Sequence, residues 1–219
     1  MGQLQTADDY FDGLFPPDEQ LTRVKEAIAA AGMPQISVAP GYGRLLTMLV
    51  AMSGAKRVLE IGALGGYSGI CLARGLPASG RLTSLELRAD YAAFAHKNVT
   101  EAGYGERTEY IVGDAKESLA QLADEGARFD FFFIDADKDN YPYYLDACIG
   151  LANAGAIIAA DNTLLRGRTV DPAKQGPSVQ AVRAFNKRIA NDPNLQGVHL
   201  PSYDGLALAR VIDLSVIQK

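Results

Sequence analysis

The order of residues predicts an α/β fold, a mainly parallel sheet with helices packed on both of its faces. Three observations lead there. From Lys56 onward, short apolar runs of strand length alternate with stretches of helical spacing. The run Phe129 to Ile134 is apolar in the way that a strand buried on both faces requires. Several of these runs break abruptly into carboxylates, at the end of the strand where open α/β sheets keep their sites. At 219 residues the chain is expected to form one domain, 1–219, with a core large enough to need no disulfide or metal staple. Within it, 1–55 reads as a helical cap or dimer segment and 56–219 as the core.

Each element has its own signal. Asp18 to Ala31 places Leu21, Val24, Ala27 and Ile28 on one helical face and stops at Gly32 before Pro34. Ile36 to Pro40 is extended or loop, and Gly43 to Met52 is an apolar helix closed by Ser53-Gly54. Strands follow at Arg57–Ile61, Arg81–Leu87, Thr108–Val112, Phe129–Ile134 and Ala156–Ala160. The intervening helices run from the glycine-rich turn 62–69 to about Leu76, then Asp90–Ala102, Lys116–Ala123 and about Tyr141–Leu151. A polar loop with Gly167, Pro172, Gly176 and Pro177 precedes a helix at Val179–Ala190. Two last strands, near Val198–Leu200 and Leu206–Ile212, are joined by a turn at Ser202 to Gly205.

Composition narrows the function. Hydrophobic residues make up 48% and charged residues 21%, and the net charge is −5. Scattered basic residues on an acidic chain argue against a nucleic-acid surface, which carries a basic stripe. No apolar run is long enough to span a bilayer, and the polar, acidic start Met1 to Tyr10 does not read as a signal peptide. Cys71 and Cys148 lie in apolar helical patterns without metal-ligand spacing, and are expected to be buried thiols in a reducing cytoplasm.

The chemistry lies in the strand-end loops. Glycines at 62, 65, 66 and 69 allow a tight turn and close approach of a ligand to the backbone. The helix that follows offers its N–H groups to an anion. The dinucleotide pattern G-x-G-x-x-G is not met, because Leu64 stands in the second glycine's place. Such a turn alone can be a plain strand-to-helix connection. Glu60 lies inside the first strand, and a buried carboxylate there requires hydrogen bonds. Glu86 ends the second strand, where an acid can accept both hydroxyls of a ribose, and Asp114 ends the third. The fourth breaks into Asp135, Asp137, Lys138 and Asp139, and the fifth into Asp161-Asn162. Each acid singly could be a surface or helix-capping group. Jointly they describe a nucleoside pocket without a pyrophosphate clamp.

The segments Leu59-Glu-Ile-Gly-Ala-Leu-Gly-Gly-Tyr-Ser68, Ser84-Leu-Glu86, Val112-Gly-Asp-Ala115, Ile134-Asp-Ala-Asp-Lys-Asp-Asn-Tyr141 and Asp161-Asn-Thr-Leu164 carry a further signal. Together, in order and from about Tyr10 to Ile212, they resemble the cation-dependent O-methyltransferases, which include plant caffeoyl-CoA and catechol enzymes. The resemblance implies a Rossmann-like class I methyltransferase with a seven-stranded sheet whose last strand is antiparallel. It implies S-adenosylmethionine as methyl donor, with Glu60, Gly62, Ala63 and Ser68 at the methionine end. It places Glu86 on the ribose, Asp114 and Ala115 on the adenine, Val38 at the rim and Asp135 beside the donor. It further implies a divalent cation, Mg²⁺ with Ca²⁺ or Mn²⁺ as alternatives, held by Asp135, Asp161 and Asn162. Two carboxylates and an amide suit such a hard ion.

The acceptor that fits is a small aromatic with two adjacent hydroxyls, one of which is methylated. A free phenol, with a pKa of roughly 10, is a weak nucleophile at neutral pH. Lys138 can take its proton where burial and a nearby cation favour the neutral amine, with Asp135 as its catalytic partner. Lys138 otherwise reads as a helix-start lysine paired with Asp137 or Asp139. Many similar enzymes have a tryptophan where this chain has Leu165, which keeps an apolar wall and loses stacking. No glutamate follows Glu125, so a late acidic contact to the second hydroxyl is absent or falls to Asp204. Tyr141, Tyr143, Tyr144 and the stretch Arg166 to Arg168 border the acceptor or pack elsewhere. The family's habit implies a homodimer. A non-catalytic S-adenosylmethionine sensor or scaffold is the alternative reading, and a nicotinamide dehydrogenase a third.

Overall fold

Residues 5–212 are described by the structure, a computed structural model. Seven strands form one sheet: β1 (Arg57–Ile61), β2 (Arg81–Glu86), β3 (Thr108–Val112), β4 (Phe129–Ile134), β5 (Ala152–Asp161), β6 (Leu195–Leu200) and β7 (Leu206–Val211). Their order is β3-β2-β1-β4-β5-β7-β6. Strands β1 to β5 pair in parallel, and β7 runs antiparallel to both β5 and β6. The expected seven strands are therefore present, with the last one reversed.

Among the described residues eight α-helices accompany the sheet: α1 (Ala7–Asp12), α2 (Glu19–Ala30), α3 (Pro40–Ser53), α4 (Tyr67–Gly75), α5 (Ala89–Glu101), α6 (Ala115–Asp124), α7 (Tyr141–Leu151) and α8 (Pro177–Asn191). The two-fold alternation of a strand decides which layer each side chain joins. Phe132 and Ile134 of β4 enter the core shared with α6, α7 and α8, which contribute Leu119, Leu145 and Phe185, and Phe129 joins them across an irregularity in the strand pairing between Phe129 and Phe131. Phe131 and Phe133 point the other way, into the core shared with Ile28, Leu46 and Ile70 of α2, α3 and α4. Phe131, Phe132 and Phe133 have no solvent exposure. Each such ring removed from water stabilises the fold by about 1.5–3 kcal/mol, so the central strand anchors both layers at once.

Differences from the sequence expectation sit at element ends. Helix α1 was not expected: Thr6 and Asp9 form a reciprocal cap, but none of its residues is buried, so no apolar stripe announces it. Helix α3 starts at Pro40 rather than Gly43, because proline fits the first turn of a helix. Strand β5 begins at Ala152, four residues before its apolar run, and the side chain of Asn153 donates to Asp130 of β4. Strand β6 begins at Leu195 rather than Val198. It lies at the sheet's edge with Gln196 and Gly197 exposed, and shows no apolar alternation. Cys71 and Cys148 are buried, free thiols, and burial pushes the Cys71 thiol up to about 12. No helix among the described residues is long and apolar enough to cross a membrane.

Candidate active site

The chain runs from β1 outward to β2 and β3, then returns to β4 on the other side of β1. Loops leaving β1 and β4 therefore part company at their carboxyl ends, which opens a crevice. A cleft of about 970 Å³ lies there.

One end of the cleft is made largely by backbone. The N–H of Asp135 donates to Ile61 O at 2.9 Å, drawing the two loops together beside Gly62. A Cβ on Gly62 would stand 2.3 Å from Asp135 O, and its φ is +98°, so only glycine fits. Glu86, at the end of β2, accepts the N–H groups of Ala63 (3.1 Å) and Leu64 (2.9 Å) on Oε2, and that of Arg88 (3.1 Å) on Oε1. Asp114 caps α6 by accepting from Lys116 N at 2.7 Å. Gly62, Ala63, Ser68, Glu86, Asp114 and Ala115 all line the cleft, and Val38 faces them. Glu60 does not. It is fully buried behind Ser68, whose hydroxyl donates to it at 2.5 Å, while that of Ser84 donates at 2.6 Å. Burial pushes its carboxyl up to about 7; the two hydroxyls oppose the rise, and the charges of Asp135 and Glu86 add to it.

The other end is made by side chains. Ile134 of β4 pairs with Ala160 of β5, so Asp135 and Asp161 follow on neighbouring strand ends. Asp135 and Asn162 line the cleft, whereas Asp161 is 4% exposed and sits in the wall behind. Burial, reinforced by the charge of Asp135, pushes the Asp161 carboxyl up to about 7. The N–H of Asn162, whose φ is +58°, donates to Asp161 Oδ1 at 2.8 Å. Lys138 lies in a short 3₁₀ turn, Lys138–Asn140, and lines the cleft. Its Nζ donates to Asp135 Oδ1 at 2.9 Å and lies against the hydroxyl of Tyr141. That hydroxyl donates in turn to Asp161 O at 2.9 Å.

Three readings that the sequence left open are narrowed. Lys138 does not pair with Asp137 or Asp139. Those carboxylates accept from Tyr144 and Asn140 and from Ser178 respectively, which leaves Asp135 as its partner. Of the three tyrosines only Tyr144 borders the cleft. Tyr141 is buried beneath it, and the hydroxyl of Tyr143 meets Lys116 O at 3.4 Å on the outside. Asp204 does line the cleft, but its Oδ1 is occupied by the backbone N–H of Arg166. Leu165, Arg166 and Arg168 complete this wall. Sequence reasoning missed Tyr203, whose ring stands edge-on to Tyr42 with centroids 4.8 Å apart, and Tyr91, stacked beneath Arg88. The position of Tyr91 just past the acid-tipped second strand could have flagged it. Nothing local marks Tyr203.

A doubly wound sheet with a glycine-rich first turn and carboxylate-tipped strands defines a Rossmann-like enzyme of the methyltransferase type. The chain belongs to the O-methyltransferase family, whose model matches residues 16–212, and its enzyme class is that of S-adenosylmethionine-dependent O-methyltransferases. It is 40% identical over 215 residues to a catechol O-methyltransferase of Niastella koreensis, covering 95% of this chain and 97% of that one. It is 32% identical over 207 residues to the caffeoyl-CoA O-methyltransferase of Eucalyptus gunnii, covering 90% and 83%. The O-methyltransferase from Bacillus cereus, solved in complex with SAH, superposes with a TM-score of 0.87 at 40% identity, covering 93% and 96%.

Proposed function

We propose that this chain moves a methyl group from S-adenosylmethionine to one hydroxyl of a vicinal dihydroxy aromatic, with the help of a divalent cation. One observation carries the reading: Asp135, Asn162 and Lys138 share a single cleft with the glycine-rich turn and Glu86. The donor's methionine end would lie against Gly62, Ala63 and Ser68, with Glu60 behind them. Its adenine would lie near Asp114 and Ala115, with Val38 on the rim. Its ribose would meet Glu86, whose Oε1 takes only one N–H and keeps acceptor capacity for a hydroxyl. Two of the similar proteins are named for catechol and caffeoyl-CoA, both of which carry adjacent ring hydroxyls.

The residues present fit a cation. Among the described residues no three His, Cys, Asp or Glu side chains gather as a metal group, so the set at this end is two carboxylates completed by an amide. Asp135, on the cleft, and Asp161, in the wall behind it, bring two carboxylates near each other, with Lys138 opposing their charge. An oxygen-only set of that charge suits Mg²⁺, or Ca²⁺ or Mn²⁺, with Asp135, Asp161 and Asn162 as ligands. When bound, such an ion supplies charge that stabilises a phenolate. Lys138 Nζ, held between Asp135 and the Tyr141 hydroxyl, would receive the acceptor's proton in its neutral amine form, which a bound cation beside it favours by taking over the charge of Asp135. Leu165 gives the ring an apolar wall. The sulfonium loses its charge during transfer, so the protein's task is to line up oxygen, methyl carbon and sulfur.

Methyl transfer to a catechol panel, with and without a chelator, tests the reading. Turnover should require the divalent ion and fail on phenols that lack the adjacent hydroxyl. Activity that survives both chelation and Asp161→Ala would overturn it. Exposed Phe11, Leu14, Met48 and Met52 support a homodimer formed through the N-terminal segment, and the buried, free thiols of Cys71 and Cys148 fit a reducing cytoplasm. A monomeric mass in light scattering would remove that part.

A further inference from the structure

The loop from Thr163 to Val170 has a feature that methyl transfer to a plain catechol does not use. Leu165 and Arg166 hold left-handed backbone, with φ of +51° and +55°, a region that side-chain-bearing residues seldom occupy. Such strain persists only where the surroundings over-determine it, and here they do. The Arg166 N–H is held by Asp204, and the Leu164 N–H donates to Asp204 O at 2.9 Å. Asn186 donates to Thr163 O at 3.0 Å. From α8, the guanidinium of Arg183 ties down the carbonyls of Arg168, Thr169, Asp171 and Lys174.

What this scaffold presents to the cleft is two arginines. Arg166 and Arg168 both line the wall four and six residues past Asn162, on either side of Gly167. Arg168 Nε rests on Leu165 O at 3.0 Å, which orients the side chain and leaves its terminal N–H groups for other partners. Among the described residues neither guanidinium is within 4.0 Å of a carboxylate, whereas Arg44, Arg74, Arg88 and Arg188 each are. A chain of net charge −5, with Asp135, Asp137 and Asp204 on the same cleft, would repel an anionic acceptor. Two cations carried at the rim by a braced backbone reverse that locally. A planar guanidinium fork matches a carboxylate in particular.

We propose that Arg166 and Arg168 recognise a carboxylate on the aromatic acceptor, so that the preferred substrates are acidic rather than neutral catechols. The inference rests on the acceptor reading above, with the hydroxyls toward Asp135 and Asn162 and the acid toward the arginine-bearing rim. The probes are 3,4-dihydroxybenzoate and 3,4-dihydroxybenzamide, which match in shape and differ in charge. Affinities are measured by calorimetry on the full chain with Mg²⁺ and S-adenosylhomocysteine, and turnover is measured in parallel with S-adenosylmethionine. The acid should bind roughly tenfold or more tightly than the amide, since hydrogen bonds between charged groups carry that much. Arg166→Ala, which keeps the Arg168 to Leu165 bond, should remove part of the preference, and the Arg166→Ala/Arg168→Ala pair nearly all of it. Amide affinity should stay unchanged in both variants, and melting temperature should stay unchanged in Arg166→Ala, while the double variant, which loses the Arg168 to Leu165 bond, should melt slightly lower. Equal affinity for the two probes, or a preference that persists in the double variant, overturns the proposal. A chain that binds the acid selectively yet methylates neither probe keeps this proposal and sinks the catalytic one. A chain that methylates both while binding them equally does the reverse.

Discussion

The two ends of the cleft are built on different principles. At the donor end, position is set by main chain: Gly62 is forced by the approach of Asp135, and Glu86 gathers the N–H groups of Ala63 and Leu64. At the acceptor end, position is set by side chains on a loop whose left-handed backbone falls on Asn162, Leu165 and Arg166 as well as on Gly167. The first kind of site tolerates little change in the residues that shape it. The second can alter what it accepts by exchanging a few exposed side chains, while the sheet beneath stays as it is.

The contrast can be broken at either end. The largest effect should come from Asp135→Asn, which removes a proposed ligand and the partner of Lys138 together. Methyl transfer should fall by about 10²–10³-fold, as when one electrostatic element of a site is lost, with the circular dichroism spectrum unchanged. Near-normal turnover would mean that the acceptor end is not where the chemistry occurs. Next is Gly62→Ala, where the added carbon meets Asp135 O and the backbone is left-handed. Urea unfolding should show a loss of about 2–4 kcal/mol. Arg166→Gly, at φ +55°, should be neutral or slightly stabilising in the same assay. Equal costs for the two would erase the distinction between the ends.

Glu60 gives the third test. Its folded carboxyl, near 7, is raised above an ordinary value of 4.5, so between those values the folded chain binds the extra proton. Stability from this group is fully present below about 4.5 and is lost as pH rises through about 7. Melting curves across that window should therefore slope downward with pH, and Glu60→Gln should remove its share of the slope, leaving the part that Asp161, also raised to about 7, contributes. A slope that the variant leaves intact would assign it to other groups. The smallest effect is expected from Asp8→Ala. Its carboxylate accepts from Tyr203 N at 2.7 Å, so its loss should cost about 1 kcal/mol. The acceptor KM should rise two- to threefold, about what a loosened wall gives up, with donor affinity unchanged. A change in donor affinity instead would show that the ends are coupled.

The same contrast explains what could be read from the chain itself. The reversed last strand is implied by the family resemblance, while the alternation of strands and helices and the gathering of Gly62, Glu86, Asp114 and Asp135 follow from short apolar runs and from acids at strand ends. These are local signals with one geometric outcome. The place of Glu60 inside the first strand points to its burial, whereas the burial of Asp161 behind the wall is not legible, because the same residue letter serves for a side chain facing the ligand or the core. The brace of Asp204 on Arg166 and the arrival of Tyr203 depend on contacts between distant segments, and α1 buries nothing that periodicity could register. Exposed, irregular pieces with long-range partners are where pattern reading stops.

The hydrogen bond from Tyr203 to Asp8 spans 195 positions of sequence. Synthesis delivers the glycine turn, its strands and their helices well before the hairpin carrying Tyr203 and Asp204 emerges. A nascent chain can thus assemble a platform for the nucleoside early, yet it gains a finished acceptor wall only when its tail folds back onto its head.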